Sequence, residues 1–161
     1  YATGKKIVLI TGDGSLMMSI GELATAKDLP IKIFMLNNEG HAMCRQTQRE
    51  WLNGTYPSTS IEGGLKFPED FLVVSRGFGI EPSCIWHSDH FRGGYDVPDN
   101  APSMAERIDE ALQGNEARFV EVQISPEHDV IPKVKYGHAN EDGHPLIDIS
   151  KEMLIPLWTA S

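Results

Sequence analysis

Four short apolar runs alternate with helix-forming segments along this chain, and that alternation constrains its fold more than any other feature. The runs cover residues 5–11 (KKIVLIT), 31–36 (IKIFML), 82–86 (PSCIW) and 118–124 (RFVEVQI). The first two are apolar at consecutive positions instead of every second one, so both faces are expected to be buried, as in a parallel sheet. Candidate helices lie between them at residues 19–27, with Ile20, Leu23 and Ala24 on one side, and at 43–51. Pro68, favoured in a first helical turn, is expected to open a third helix that runs to about Gly77. Ser103-x-x-Glu106 is a capping box that opens a fourth over 104–112. Strands alternating with helices predict an α/β domain with a largely parallel sheet.

At 161 residues and 40% hydrophobic, the chain can supply one globular domain with a core. A net charge of -9 and a pI near 5.0 argue against nucleic acid or an anionic membrane surface as the main partner. An acidic chain that handles a phosphorylated ligand needs a local cation, which directs attention to metal ligands. No apolar run approaches the ~20 residues of a membrane helix. Two cysteines, Cys44 and Cys84, make no disulfide framework and suggest a reducing, cytoplasmic setting. Tyr1-Ala2-Thr3-Gly4 has no initiator Met and leads almost at once into a strand, which reads as a fragment of a longer protein.

In parallel α/β sheets, ligands sit outside the carboxyl ends of the strands. Gly12-Asp13-Gly14-Ser15 follows the first run, and Asn37-Asn38 follows the second. If those strands are neighbours, Asp13 and Asn38 project into one crevice. Two oxygen ligands with positions left for water suit Mg²⁺, a hard cation usually completed by ligand phosphates. Gly12 and Gly14 are expected to give a tight turn and a close approach to phosphate, and a helix beginning after Ser15 to aim its N–H groups at the same anion. A dinucleotide loop needs a third glycine where Met17 stands, a P-loop needs Gly-Lys-Ser/Thr, and an EF-hand needs further acids. A plain strand-to-helix turn capped by Asp13 explains GDGS alone, but does not explain the asparagine pair.

Together, GDGS and NN with strand, helix and strand between them resemble the diphosphate-binding domain of thiamine diphosphate enzymes. ELATAKDLPIKIFMLNN is similar to the acetolactate synthase/pyruvate decarboxylase branch, and the similarity continues through GHAMCRQTQ, FPEDF, GFGI and FVEVQISPEHDVIPKV, over most of residues 5–135. The resemblance implies a three-layer α/β sandwich, incomplete at its N-terminus, with a diphosphate- and Mg²⁺-binding domain over residues 1–126 and a C-terminal tail over 127–161. It implies that Asp13, the Asn38 side chain and the Gly40 carbonyl bind Mg²⁺. Gly12, Gly14, Ser15, His41, Ala42 and Met43 would lie along thiamine diphosphate, and Gln46 and Thr47 would face the substrate. The helix between the motifs is slightly shorter than is common in the family. Acetolactate synthases proper carry a Trp at the place of Thr47, and RQTQREWLNG with EGGLKFPEDF is more similar to acetolactate-synthase-like proteins of bacterial surface-sugar pathways. The implied reaction is lyase or transferase chemistry on a 2-oxo acid, by decarboxylation with carbon–carbon ligation. Simple decarboxylation, or a non-catalytic cofactor-binding relative, are the alternatives. In this family the activating Glu comes from another domain, usually a partner subunit's. Residues 1–161 alone are therefore expected to be inactive, and the parent to be a homodimer or homotetramer.

Among lesser features, His87, Asp89 and His90 are expected to be solvated loop residues, and His128, His138 and His144 to lie in the tail. Cys44 is expected to be a buried, inert thiol, and Met17 and Met18 to fill the core.

Overall fold

The computed structural model describes residues 5–86, 102–127, 129, 136–139 and 145–147. The chain divides into two compact units, residues 1–128 and 129–161.

In the first unit, β1 (Ile7–Gly12), β2 (Ile31–Asn37), β3 (Glu81–Trp86) and β4 (Arg118–Gln123) form one sheet in the order β1-β2-β4-β3. Every pairing is parallel, with Ile7 opposite Ile31, Lys32 opposite Arg118 and Glu81 opposite Arg118. Successive residues of a strand face opposite sides, and each side of this sheet has its own core. Ile33, Met35 and Phe119 pack with Leu16, Leu23, Phe71 and Ile80 on one face. Phe34, Val120 and Ile85 pack with Ala111 on the other. The helices α1 (Asp13–Met18), α2 (Leu23–Ala26) and α4 (Phe71–Gly77) thus cover one face, and α5 (Met104–Ala111) covers the opposite one. The sandwich has three layers, as expected, and burying a side chain such as Phe119 fully contributes about 1.5–3 kcal/mol.

Local details differ from the expectations. The segment expected to be one helix over 19–27 is a 3-10 turn at Ile20–Glu22 followed by α2, and α1 begins at Asp13 itself, not after Ser15. Leu23 is buried and Ile20 packs against the core, whereas Ala24 is exposed. α4 starts at Phe71 because the Asp70 carboxylate accepts from the N–H groups of Leu72 and Val73 and caps the helix; Pro68 lies before it. The Ser103–Glu106 capping box forms as its sequence requires.

The larger difference is β1. Its run was expected to be buried on both faces, yet Ile7, Val8, Leu9 and Ile10 are 37, 50, 41 and 68% exposed. Among the described residues β1 pairs on one side only, with β2, so it is a sheet edge.

β2 is buried throughout its middle, and it includes a charge: Lys32 is wholly buried. Its stem lies on the α5 side of the sheet, and its Nζ donates to the Glu116 carbonyl at 2.8 Å and pairs with Glu116 Oε1 at 3.6 Å.

The second unit contains an antiparallel hairpin, β5 (Tyr136–Ala139) with β6 (Pro145–Ile147), which the sequence reading did not anticipate. The stretch 87–101, with His87, Asp89 and His90, lies outside the described residues, as do His128, His144 and the short amphipathic end at 152–158.

Candidate functional site

β1 and β2 are neighbours in register, Gly12 opposite Leu36, so the loops that follow them meet at one end of the sheet. Asp13, the first residue of α1, is 1% exposed. Its Oδ1 accepts from the Gly14 N–H at 2.6 Å. Its Oδ2 accepts from the N–H of Asn38 at 3.2 Å and of Gly40 at 3.0 Å. Asp13 therefore does not cap its own helix, whose N-cap is Gly12 with no side-chain bond. It fastens the loop after β2 to the end of β1. Burial pushes its carboxyl above the ordinary carboxylate value, opposed by the N–H groups of Gly14, Gly40, Asn38 and Glu39.

Asn38 completes the arrangement. Its Oδ1 is buried without a hydrogen-bond partner, an uncommon and costly condition for an amide oxygen. Its carbonyl accepts from Arg45 Nη2 at 2.9 Å, and the same nitrogen donates to the Pro126 carbonyl at 3.2 Å. Arg45, on α3 (Ala42–Trp51), thus ties this loop to the segment after β4. Glu39 is held at φ +59°, a left-handed conformation uncommon outside glycine. Gly40 is buried where an added Cβ would strike the Thr59 carbonyl, because 40 and 60 form an isolated antiparallel bridge.

The two glycines of the first motif part company. Gly12 is extended (φ −87°, ψ 161°) and a Cβ there would meet nothing within 4 Å, so the expected tight turn is not its reason. At Gly14 a Cβ would run into the His41 imidazole. That ring lies over the GDG loop and meets Phe67 edge-on, with centroids 6.3 Å apart. Ser15 is exposed, and α1 is only six residues long.

On α3, Ala42 is half-buried and Met43 is 66% exposed. Gln46 is 7% exposed and its Oε1 has no hydrogen-bond partner, while Thr47 turns its hydroxyl onto the Met43 carbonyl at 3.1 Å. Cys44 is exposed, contrary to expectation, because it falls on the outward side of α3. Met18 is also exposed, whereas Met17 packs against the core.

Sequence reasoning missed Glu121. This buried carboxylate near the end of β4 accepts from Asn37 Nδ2 at 2.6 Å, and burial raises its carboxyl above the ordinary value. The signal was present as a single acid interrupting an apolar strand run.

Among the described residues no cluster of three or more His, Cys, Asp and Glu side chains is placed to hold a metal. Any cation here would rely on one carboxylate with amide and main-chain oxygens, a hard donor set suited to Mg²⁺. Among the described residues no helix is long and apolar enough to cross a membrane.

A parallel sheet between two helical layers, with polar loops gathered at the carboxyl ends of neighbouring strands, is an α/β domain of the kind that takes its ligands at that end. Residues 1–122 match the family described as thiamine pyrophosphate enzyme, C-terminal TPP binding domain; thiamine pyrophosphate is another name for thiamine diphosphate. The chain belongs to that family. It is 30% identical over 138 residues to acetolactate synthase isozyme 2 large subunit of Escherichia coli (strain K12), covering 84% of this chain and 22% of that protein. It is 27% identical over 138 residues to acetolactate synthase large subunit of Parasynechococcus marenigrum (strain WH8102), covering 84% and 20%. A solved structure, the Rhodococcus jostii RHA1 thiamine diphosphate-dependent 4-hydroxybenzoylformate decarboxylase, shares the fold with a TM-score of 0.55 at 18% identity, over 75% of this chain and 20% of that one. The chain therefore spans about a fifth of the length of the curated relatives it matches.

Proposed function

We propose that this chain is the part of an acetolactate-synthase-like enzyme that holds thiamine diphosphate through Mg²⁺ and presents it to a 2-oxo acid. The observation that carries this reading is the buried, unpartnered Oδ1 of Asn38, in a loop hydrogen-bonded to the Asp13 carboxylate. A cation would satisfy that oxygen, neutralise Asp13 where burial disfavours its charge, and bind the diphosphate. Asp13, Asn38 and the Gly40 carbonyl would be its protein ligands. Gly12, whose missing Cβ serves no internal contact, leaves room for the anion, and Gly14, Ser15, His41, Ala42 and Met43 would line it. Gln46 and Thr47 would face the substrate, Gln46 with an amide oxygen still unpaired.

When bound, thiamine diphosphate supplies a carbanion equivalent and an electron sink for decarboxylation and carbon–carbon ligation. The task of these residues is to fix its diphosphate end. The diphosphate-binding domain would occupy residues 1–126, and the parent would be a homo-oligomer of the cytoplasm. Isothermal titration of thiamine diphosphate into the full-length protein, with Mg²⁺ and then with EDTA, tests the reading. Binding that vanishes with the chelator supports it, and binding indifferent to the chelator overturns the metal assignment. Product analysis with 2-oxo acids then separates ligation from simple release of an aldehyde.

A further inference from the structure

Glu121 and Asn37 stand just behind the loop that would hold the cation, and neither is among its proposed ligands. Asn37 is the last residue of β2, opposite Gln123 of β4. Its side-chain amide is used at both ends. Nδ2 donates to Glu121 Oε1 at 2.6 Å, and Oδ1 accepts from the Glu39 N–H at 3.0 Å. Glu39 is the residue with φ +59°, and the residues on either side of it, Asn38 and Gly40, direct their N–H groups at Asp13 Oδ2.

We propose that Glu121 is a positioning residue that acts through Asn37: it fixes the amide so that the Asn38–Gly40 loop is held in its cation-binding shape before any cation arrives. The argument is geometric. An asparagine amide presents a donor on one side and acceptor lone pairs on the other. Glu121 is 6% exposed and, as a carboxylate, only accepts, so it selects the amide orientation that aims Oδ1 at the Glu39 N–H. That bond favours the left-handed turn at Glu39, which the chain would otherwise leave, taking Asn38 Oδ1 and Gly40 with it. Partners behind metal ligands commonly act in this way, and losing them weakens metal affinity 10–100-fold.

This inference rests on the cation reading above, and the test separates the two. In the full-length protein, the Mg²⁺ concentration giving half-maximal thiamine diphosphate binding is measured by titration calorimetry. Asn37→Asp is nearly isosteric but sets two carboxylates against each other, and it is expected to raise that concentration 10–100-fold. The double variant N37D/E121Q restores a donor–acceptor pair with the roles exchanged, and is expected to return within threefold of wild type. A thermal midpoint near wild type without this rescue overturns the positioning role. Amide hydrogen exchange in the cofactor-free protein gives a second readout should N37D fold poorly: Glu121→Ala is expected to speed exchange at Glu39 and Gly40 at least tenfold, and unchanged exchange overturns the proposal. If wild-type binding proves indifferent to Mg²⁺, the cation reading itself fails and this inference with it.

Discussion

Asn38 gives its main-chain N–H to Asp13 Oδ2 at 3.2 Å, across 25 positions of sequence, and keeps its own side-chain oxygen buried and unpaired. The two residues thus form a closed hydrogen-bonded contact and, next to it, an unmet acceptor. The contact ties the loops after β1 and β2 together, and the acceptor is the oxygen that the proposed cation would satisfy.

Asp13→Asn keeps the volume of the side chain and removes its charge. Mg²⁺-dependent thiamine diphosphate binding is expected to weaken on the order of 100-fold, about 2.7 kcal/mol, by titration calorimetry. Affinity within threefold of wild type would remove Asp13 from the ligand set. Asp13→Ala is the poorer probe: it strands the N–H groups of Gly14, Asn38 and Gly40, at about 1–3 kcal/mol for each one left unsatisfied.

Gly14→Ala drives a methyl group into the His41 ring. The variant is expected to lose about 1–3 kcal/mol of stability in urea unfolding, typical of overpacking. His41→Ala should cost less, and the double variant should recover most of the Gly14→Ala loss. Additive losses would show that the ring is not the obstacle.

Glu106 and Ser103 cap α5 reciprocally, with Ser103 N–H donating to Glu106 Oε2 at 2.7 Å and Glu106 N–H to Ser103 Oγ at 3.3 Å. The backbone and hydroxyl bonds of Ser103 hold the Glu106 carboxyl below its ordinary value. A carboxyl lowered in the folded state stabilises above its unfolded pKa, and that contribution fades as pH falls through the lowered value. Glu106→Gln is therefore expected to flatten the acid limb of stability against pH below about pH 4.5, while Ser103→Ala costs about 0.5–2 kcal/mol at neutral pH. Chemical unfolding at several pH values reads both, and an unchanged acid limb in Glu106→Gln would contradict the capping role.

Lys32→Ala removes a buried stem from the centre of the sheet and is expected to cost about 2–4 kcal/mol. Lys32→Met keeps the stem and gives up the bonds to Glu116, whose side chain is exposed, so it should cost less than half as much. Equal losses would mean that the ammonium contributes more than the methylenes.

The sheet, and the meeting of the loops that follow β1 and β2, were legible because they depend on local pattern. β2 and β4 begin where their apolar runs begin, and the Ser103 box announced α5. The Asp13–Asn38 pairing was foreseeable once β1 and β2 were taken as neighbours. Long-range decisions were not legible. Residues 7–10 have the composition of an interior strand, and only tertiary context makes them an edge. Asp70 outcompeted Pro68 for the start of α4 because a carboxylate accepting two N–H bonds outweighs a proline preference. Glu121 could be seen in the sequence, but not its bond to Asn37, which needs the β2–β4 register.

β1 has a practical consequence. Ile7 to Ile10 is an uncharged, proline-free run that among the described residues leaves one edge unpaired, the kind of segment on which strands of other molecules stack. The exposed Lys5 and Lys6 precede it and serve as gatekeepers on that side, whereas Asp13 beyond its other end is buried and presents no charge there. Residues 1–161 handled alone are expected to self-associate through this strand, which light scattering against protein concentration reads, with the net charge of -9 opposing it.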